Sequence, residues 1–231
     1  MTSAISDREA PEVWRPIAVP RRPAGSSPTF SVVVPTRGRE TLARTLASIS
    51  SQLEPGDEII VVCTSDEDWG NSARQRGIEK ATSSHVLFCD DDDVFLPGAL
   101  AVMRQFAADH PGAIGIFRRR FNAGPPQWRE PVLRPMNVQC MGFVIPNVPS
   151  KLGVWGPQSS DPVKQAALQA SGVRPWSDAY FVSETAELQG APVIFCDVIV
   201  GHARPEPKRF RRLRYRLKLR TRLRRSLRRG A

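Results

Sequence analysis

Three short apolar runs, spaced by helix-period segments, constrain this chain more than any other feature. They are Phe30-Ser31-Val32-Val33-Val34-Pro35, Glu58-Ile59-Ile60-Val61-Val62-Cys63 and His85-Val86-Leu87-Phe88-Cys89, and each reads as a buried strand. Between the first two, Glu40 to Gln52 places Leu42, Leu46 and Ile49 at i, i+4 and i+7, which predicts a helix. Asn71 to Ala81 predicts a second helix, and Pro97 to Ala108, with Leu100, Met103 and Phe106, a third. Strands alternating with helices in this way predict a parallel sheet joined by right-handed crossovers. The second half is mixed. Strands are expected at 114–117, 139–145 and 193–200, and a helix at 161–170. A further helix is expected at 177–189, with Ser177 as its N-cap and Gly190 just past its end.

Directly after the third run come four aspartates, Asp90 to Asp93. Adjacent carboxylates resist ionising together, and a hard divalent cation such as Mg²⁺ or Mn²⁺ relieves the conflict with oxygen ligands and positive charge. The segment that follows turns into the third helix, with Pro97 near its start. That puts the carboxylates at the C-terminal end of a strand, where open α/β sheets bind ligands. The alternative is an acidic loop that caps the helix.

Composition narrows the class. The net charge of +10 belongs to the tail, because 13 of the 33 Lys+Arg fall within Lys208 to Arg229, a stretch with no acidic residue. The remaining 20 stand against 23 Asp+Glu, so the rest of the chain is slightly acidic. No apolar run approaches the ~18 residues of a membrane span, and the N-terminus has no secretory pattern. The four cysteines are widely spaced, form no zinc pattern, and read as reduced core residues of a cytosolic protein.

In order along the chain, the motifs resemble those of the family 2 glycosyltransferases over residues 29 to 204. Ser31-Val32-Val33-Val34-Pro35-Thr36-Arg37-Gly38-Arg39 is similar to the family's opening, and Gly70-Asn71-Ser72-Ala73-Arg74-Gln75-Arg76-Gly77 to its ARNxG helix. Asp90-Asp91-Asp92-Asp93 is similar to its DxD motif, Ser177-Asp178-Ala179-Tyr180-Phe181 to its late acidic motif, and His202 to a histidine beyond the last strand. The resemblance implies an α/β GT-A fold, a Rossmann-like, mostly parallel sheet flanked by helices. It implies metal-dependent, inverting transfer of a sugar from a nucleotide diphosphate to an acceptor hydroxyl.

Carried onto this sequence, Asp90, Asp92 and Asp93 would hold Mn²⁺ or Mg²⁺, with Asp90 and Asp91 also near the donor. Asp178 would be the general base, although an aspartate after an N-cap is also favoured by the helix dipole, which lowers its pKa. His202 would be a metal ligand or touch the diphosphate; the alternative is a surface or hinge residue. Pro35, Thr36, Arg37, Arg39 and Arg74 would line the donor site. Arg37 and Arg39 read equally as solvated loop charges, and Arg74 as solvent-facing or paired with an aspartate. Where relatives carry aspartates after the second strand, this chain has Cys63-Thr64-Ser65-Asp66, so Thr64 and Asp66 are the substitutes for contact with the nucleotide. Trp155 and Trp176 could stack on an acceptor sugar or could belong to the core.

The expected organisation is a flexible arm at 1–28, a GT-A domain at 29–206 and a basic tail at 207–231. Residues 208–229 suit an anionic membrane surface, with leucines inserted and arginines snorkelling. That would place the protein at the inner face of the cell membrane, acting on a lipid-linked acceptor. An acidic partner is the alternative; nucleic acid is disfavoured because stacking aromatics are scarce. Two rival functions remain. A nucleotidyltransferase also uses paired aspartates, but no Gly-rich phosphate loop with a lysine follows the first strand. A catalytically inactive adaptor acting through its tail is the other.

Overall fold

The computed structural model describes residues 15–18, 27–64, 69–122, 124–156, 170 and 177–205. Residues 161–169 of the helix expected at 161–170, Asp66, Trp176, the basic tail and most of the expected N-terminal arm lie outside the described residues.

The strands are β1 (Arg15–Ala18), β2 (Phe30–Thr36), β3 (Glu58–Cys63), β4 (His85–Phe88), β5 (Asp93–Phe95), β6 (Ile114–Phe121), β7 (Pro126–Gln127), β8 (Phe143–Pro146) and β9 (Val193–Ala203). The helices are α1 (Leu42–Ser50), α2 (Asn71–Ile78), α3 (Ala99–Asp109) and α4 (Ser177–Gln189), with a 3₁₀ turn at Cys140–Gly142. The strands form one sheet in the order β1-β3-β2-β4-β8-β6-β9-β5, with β7 paired to β6.

The β2-α1-β3-α2-β4 half folds as its periodicity dictates. β2 is parallel to both β3 and β4. Its successive side chains point to opposite faces, and both faces are covered. Phe30, Val32 and Val34 join one core with Ile49 of α1 and Leu100 and Met103 of α3. Val33 joins a second core, on the other face, with Ala73 of α2 and Phe181 of α4. Gly77 lets α2 lie flush on the sheet, since a Cβ there would stand 2.3 Å from Val33 Cγ1.

The other half is more mixed than a mostly parallel sheet. β6 and β9 run parallel, but β4 with β8, β8 with β6, and β9 with β5 run antiparallel. Three elements differ from expectation, the first two because their partners are distant in sequence. Arg15–Ala18, expected within a flexible arm, pairs antiparallel with β3. Asp93–Phe95 does not run straight into a helix; it pairs with Gly201–Ala203 of β9. Residues 139–142 form a turn before β8 rather than its first half. Among the described residues, no helix is long and apolar enough to cross a membrane.

Candidate active site

The ends of β2, β4, β6 and β9 and the start of α2 converge on the four aspartates, and each carboxylate meets at least one guanidinium. Arg74 of α2 pairs with Asp90. Arg39 pairs with Asp91 at 3.1 Å and with Asp92 at 2.7 Å. Arg204, just past β9, reaches Asp92 at 3.1 Å and donates its backbone N–H to Asp93 at 3.0 Å. Arg119 of β6 pairs with Asp93 at 3.2 Å, and both are buried.

The four do not play one part. Asp91 is turned towards β2, where Thr36 Oγ1 donates to it at 2.7 Å and the Arg37 N–H at 3.3 Å. Asp90, Asp92 and Asp93 each place an oxygen in a group whose atoms all lie within 4.8 Å of one another. Three hard carboxylate oxygens so disposed fit Mg²⁺ or Mn²⁺. Burial pushes the Asp93 carboxyl up to about 7, with Asp90 adding to the effect, and burial also raises Asp92. Burial acts on Asp90 in the same sense and is the largest single effect, but Arg74, Arg119 and Arg204 together outweigh it and hold Asp90 below the usual carboxylate range. A second cation close to Asp92 and Asp93 would favour their ionised forms.

Two cavities meet at this cluster. The first, of about 310 Å³, is lined by Pro35, Thr36, Arg37, Arg39 and Thr64, together with Asp90, Asp91 and Asp92. Every donor-side residue expected from sequence and described here lines it, apart from Arg74. The second, of about 390 Å³, is lined by Arg74, Asp90, Asp93, Arg119, Cys140 and Asp178, among others. Trp69, Asp90 and Arg204 line both. Gly70, at φ +85°, makes the turn that brings α2 to the cluster.

Asp178, partly buried in the first turn of α4, opens on the second cavity. The helix start alone would lower its pKa, but burial dominates and raises it above the usual carboxylate range. Arg74 and a hydrogen bond from the Cys140 thiol pull in the opposite direction. A carboxylate of raised basicity facing a cavity can accept a proton from a hydroxyl at neutral pH.

Two expectations need correction. Trp155 is not an acceptor contact. It is 3% exposed, stacks on Phe181 at 4.3 Å between ring centres and meets Phe88 edge-on, so its apolar area is spent on the core. His202 is not in the carboxylate group. Its Nε2 donates to the Asn122 carbonyl at 2.7 Å, and neither ring nitrogen joins the group formed by the Asp90, Asp92 and Asp93 oxygens.

Sequence reasoning missed Arg119, Arg204, Cys140 and Trp69. A signal existed for Arg119. In Arg118-Arg119-Arg120 on a strand, the middle residue faces opposite to its neighbours. Arg204 follows the motif histidine by two positions, whereas Cys140 carried no signal at all.

The model of the family described as glycosyl transferase family 2 matches residues 63–155. No curated protein matches the chain. Among solved structures, S. aureus TarS 1-349 in complex with UDP-GlcNAc is 17% identical, with a TM-score of 0.50 over 76% of this chain and 58% of that one. S. aureus TarS is 15% identical, with a TM-score of 0.50 over 76% of this chain and 36% of that one. The mannosyltransferase PcManGT from Pyrobaculum calidifontis, in complex with GDP-Man and Mn2+, is 17% identical, with a TM-score of 0.47 over 84% and 61%. This chain thus spans less than two thirds of the length of each, and at these identities the likeness is one of fold. The motif order, the sheet with its acidic cluster and the family model agree: residues 63–155 match glycosyl transferase family 2, and the chain carries the GT-A fold.

Proposed function

We propose that this protein is a metal-dependent, inverting glycosyltransferase that moves a sugar from a nucleotide diphosphate to an acceptor hydroxyl. One observation carries the reading. The Asp90, Asp92 and Asp93 oxygens gather where two cavities meet, and Asp178 opens on the second of them. The first cavity takes the nucleotide diphosphate, with Arg37 and Arg39 beside its phosphates. A fold relative holding UDP-GlcNAc makes a nucleotide sugar the first ligand to try.

Asp90, Asp92 and Asp93 would hold Mn²⁺ or Mg²⁺, which when bound supplies positive charge against the departing diphosphate. Asp178 takes the proton of the acceptor hydroxyl as that oxygen attacks the anomeric carbon. The bond from that carbon to the diphosphate oxygen breaks, and its electron pair leaves with the nucleotide. Attack from the face opposite the leaving group inverts the centre. Residues 208–229 hold the enzyme at the anionic inner face of the cell membrane, in assembly of a cell-surface glycan or glycolipid.

Thermal melting with UDP, GDP, CDP and dTDP, each with and without Mn²⁺, tests the reading. A ligand of the folded state raises the melting temperature. Stabilisation by one nucleotide only with metal is the expected result. No shift with any of them at millimolar concentration would sink the proposal.

A further inference from the structure

We infer that the second cavity receives a saccharide: the acceptor hydroxyl belongs to a sugar ring whose C–H face rests on Trp69 and Met136. This rests on the transferase reading and narrows its acceptor.

Three large apolar side chains that stay exposed in the fold line this one cavity. They are Trp69 at 64%, Met136 at 55% and Phe121 at 36% exposed. They come from separate segments: the entry to α2, the loop before the 3₁₀ turn and the end of β6. Exposed apolar side chains gathered at one place mark a binding surface more often than scattered ones do. The backbone adds an independent sign. Trp69 and Met136 sit at φ +64° and +68°, a left-handed conformation that bulky residues seldom adopt. Such outliers collect at ligand sites, where the surrounding fold holds them.

The polar lining selects among acceptors. Asp90, Asp93 and Asp178 share the cavity with Arg74, Arg119 and Arg204, so negative and positive side chains are equal in number. A plain alkyl chain would leave those charges facing hydrocarbon, which is costly. A sugar ring is amphipathic in the matching way. Its hydroxyl edge bonds carboxylates and guanidiniums alike, and its C–H face suits an indole and a thioether. A cavity of about 390 Å³ is of the size that holds such a small molecule. Trp69 also lines the first cavity, so it stands where donor and acceptor meet.

The test takes the nucleotide sugar whose nucleotide stabilises the full chain, with Mn²⁺, and offers three probes: methyl hexopyranosides, farnesyl phosphate and a peptide containing serine and threonine. Products are read by mass spectrometry. Transfer to the methyl hexopyranosides is expected. Met136→Ser should raise their KM about tenfold while the donor KM moves less than twofold. Trp69→Ala should do more, and Trp69→Phe should restore part of the loss. Transfer only to farnesyl phosphate, or only to the peptide, overturns the inference. So does transfer to glycosides with a KM that Met136→Ser leaves unmoved; this variant, at an exposed position, also serves if Trp69→Ala does not fold. Donor binding without glycoside transfer sinks the acceptor assignment alone, whereas failure of every nucleotide to bind sinks the transferase reading and this inference with it.

Discussion

Replacing Arg104 by methionine removes a buried charge from α3 while keeping most of the side chain's apolar length. Arg104 Nη1 and Nη2 donate to Asp57 Oδ1 at 3.1 Å and Oδ2 at 2.6 Å, and Nη1 also reaches the Pro28 carbonyl. The guanidinium lies 4.5 Å from the centre of the Phe30 ring. Asp57 is 1% exposed, so its charge has no recourse to water. In the variant it keeps two backbone donors, the Phe30 N–H at 2.9 Å and the Glu54 N–H at 2.7 Å. Breaking a buried pair from one side costs about 3–5 kcal/mol, and those two bonds set the expectation near the lower end, at about 3 kcal/mol. For a chain of this size that is a fall in Tm of roughly 6–12 °C. Urea denaturation at pH 7 measures it, alongside Asp57→Asn and the double variant. The double variant should lose less than the two single losses combined, because it strands no charge. A loss below about 1 kcal/mol for Arg104→Met, or strict additivity, would refute the reasoning.

Four further outcomes are expected. Gly77→Ala drives a Cβ to 2.3 Å from Val33 Cγ1 and should cost about 1–3 kcal/mol, and adding Val33→Ala should recover part of it in the same melts. His85 is held at about 4, by burial first and Arg104 second, against about 6.5 when unfolded. The unfolded chain therefore binds a proton that the folded one refuses, so stability falls as the pH drops from about 6.5 towards 4. The difference between wild type and His85→Leu should shrink by about 2 kcal/mol between pH 7 and pH 5 in urea melts, and a difference independent of pH would count against this. Cys140→Ala removes a bond that favours the ionised Asp178, so the acid limb of kcat/KM should move to higher pH, and a move to lower pH would contradict the assignment. Asp92→Asn should weaken Mn²⁺ binding about tenfold or more by calorimetry, with unchanged affinity the contrary result.

What the sequence revealed follows from how local each decision is. β2, α1, β3, α2 and β4 were legible because their own period states which residues face which core, and Val32, Val33 and Val34 divide between the two cores as alternation requires. The aspartates were legible because four adjacent carboxylates are a conflict visible without coordinates. β1 and β5 were not, because Arg15–Ala18 and Asp93–Phe95 are strands only through partners far along the chain. The same holds for Trp155, whose ring serves a core or a ligand according to whether Phe88 and Phe181 arrive beside it.

The candidate metal group shows this division within three residues. Asp90 and Asp92 follow from β4 and the turn after it. Asp93 belongs to β5 and is set opposite Ala203 of β9, which also delivers the Arg204 N–H to its carboxylate and the Arg204 guanidinium to Asp92. The cluster is therefore completed by the last described strand, whose end leads into the basic segment. A disturbance at residues 201–204 should loosen Asp93 and Arg204 together while leaving the contacts of Asp91 with Thr36 and Arg37 in place. Cation affinity should then fall further than nucleotide affinity, because the first cavity takes Arg204 alone from residues 201–204, while Pro35, Thr36, Arg37, Arg39 and Thr64 come from elsewhere.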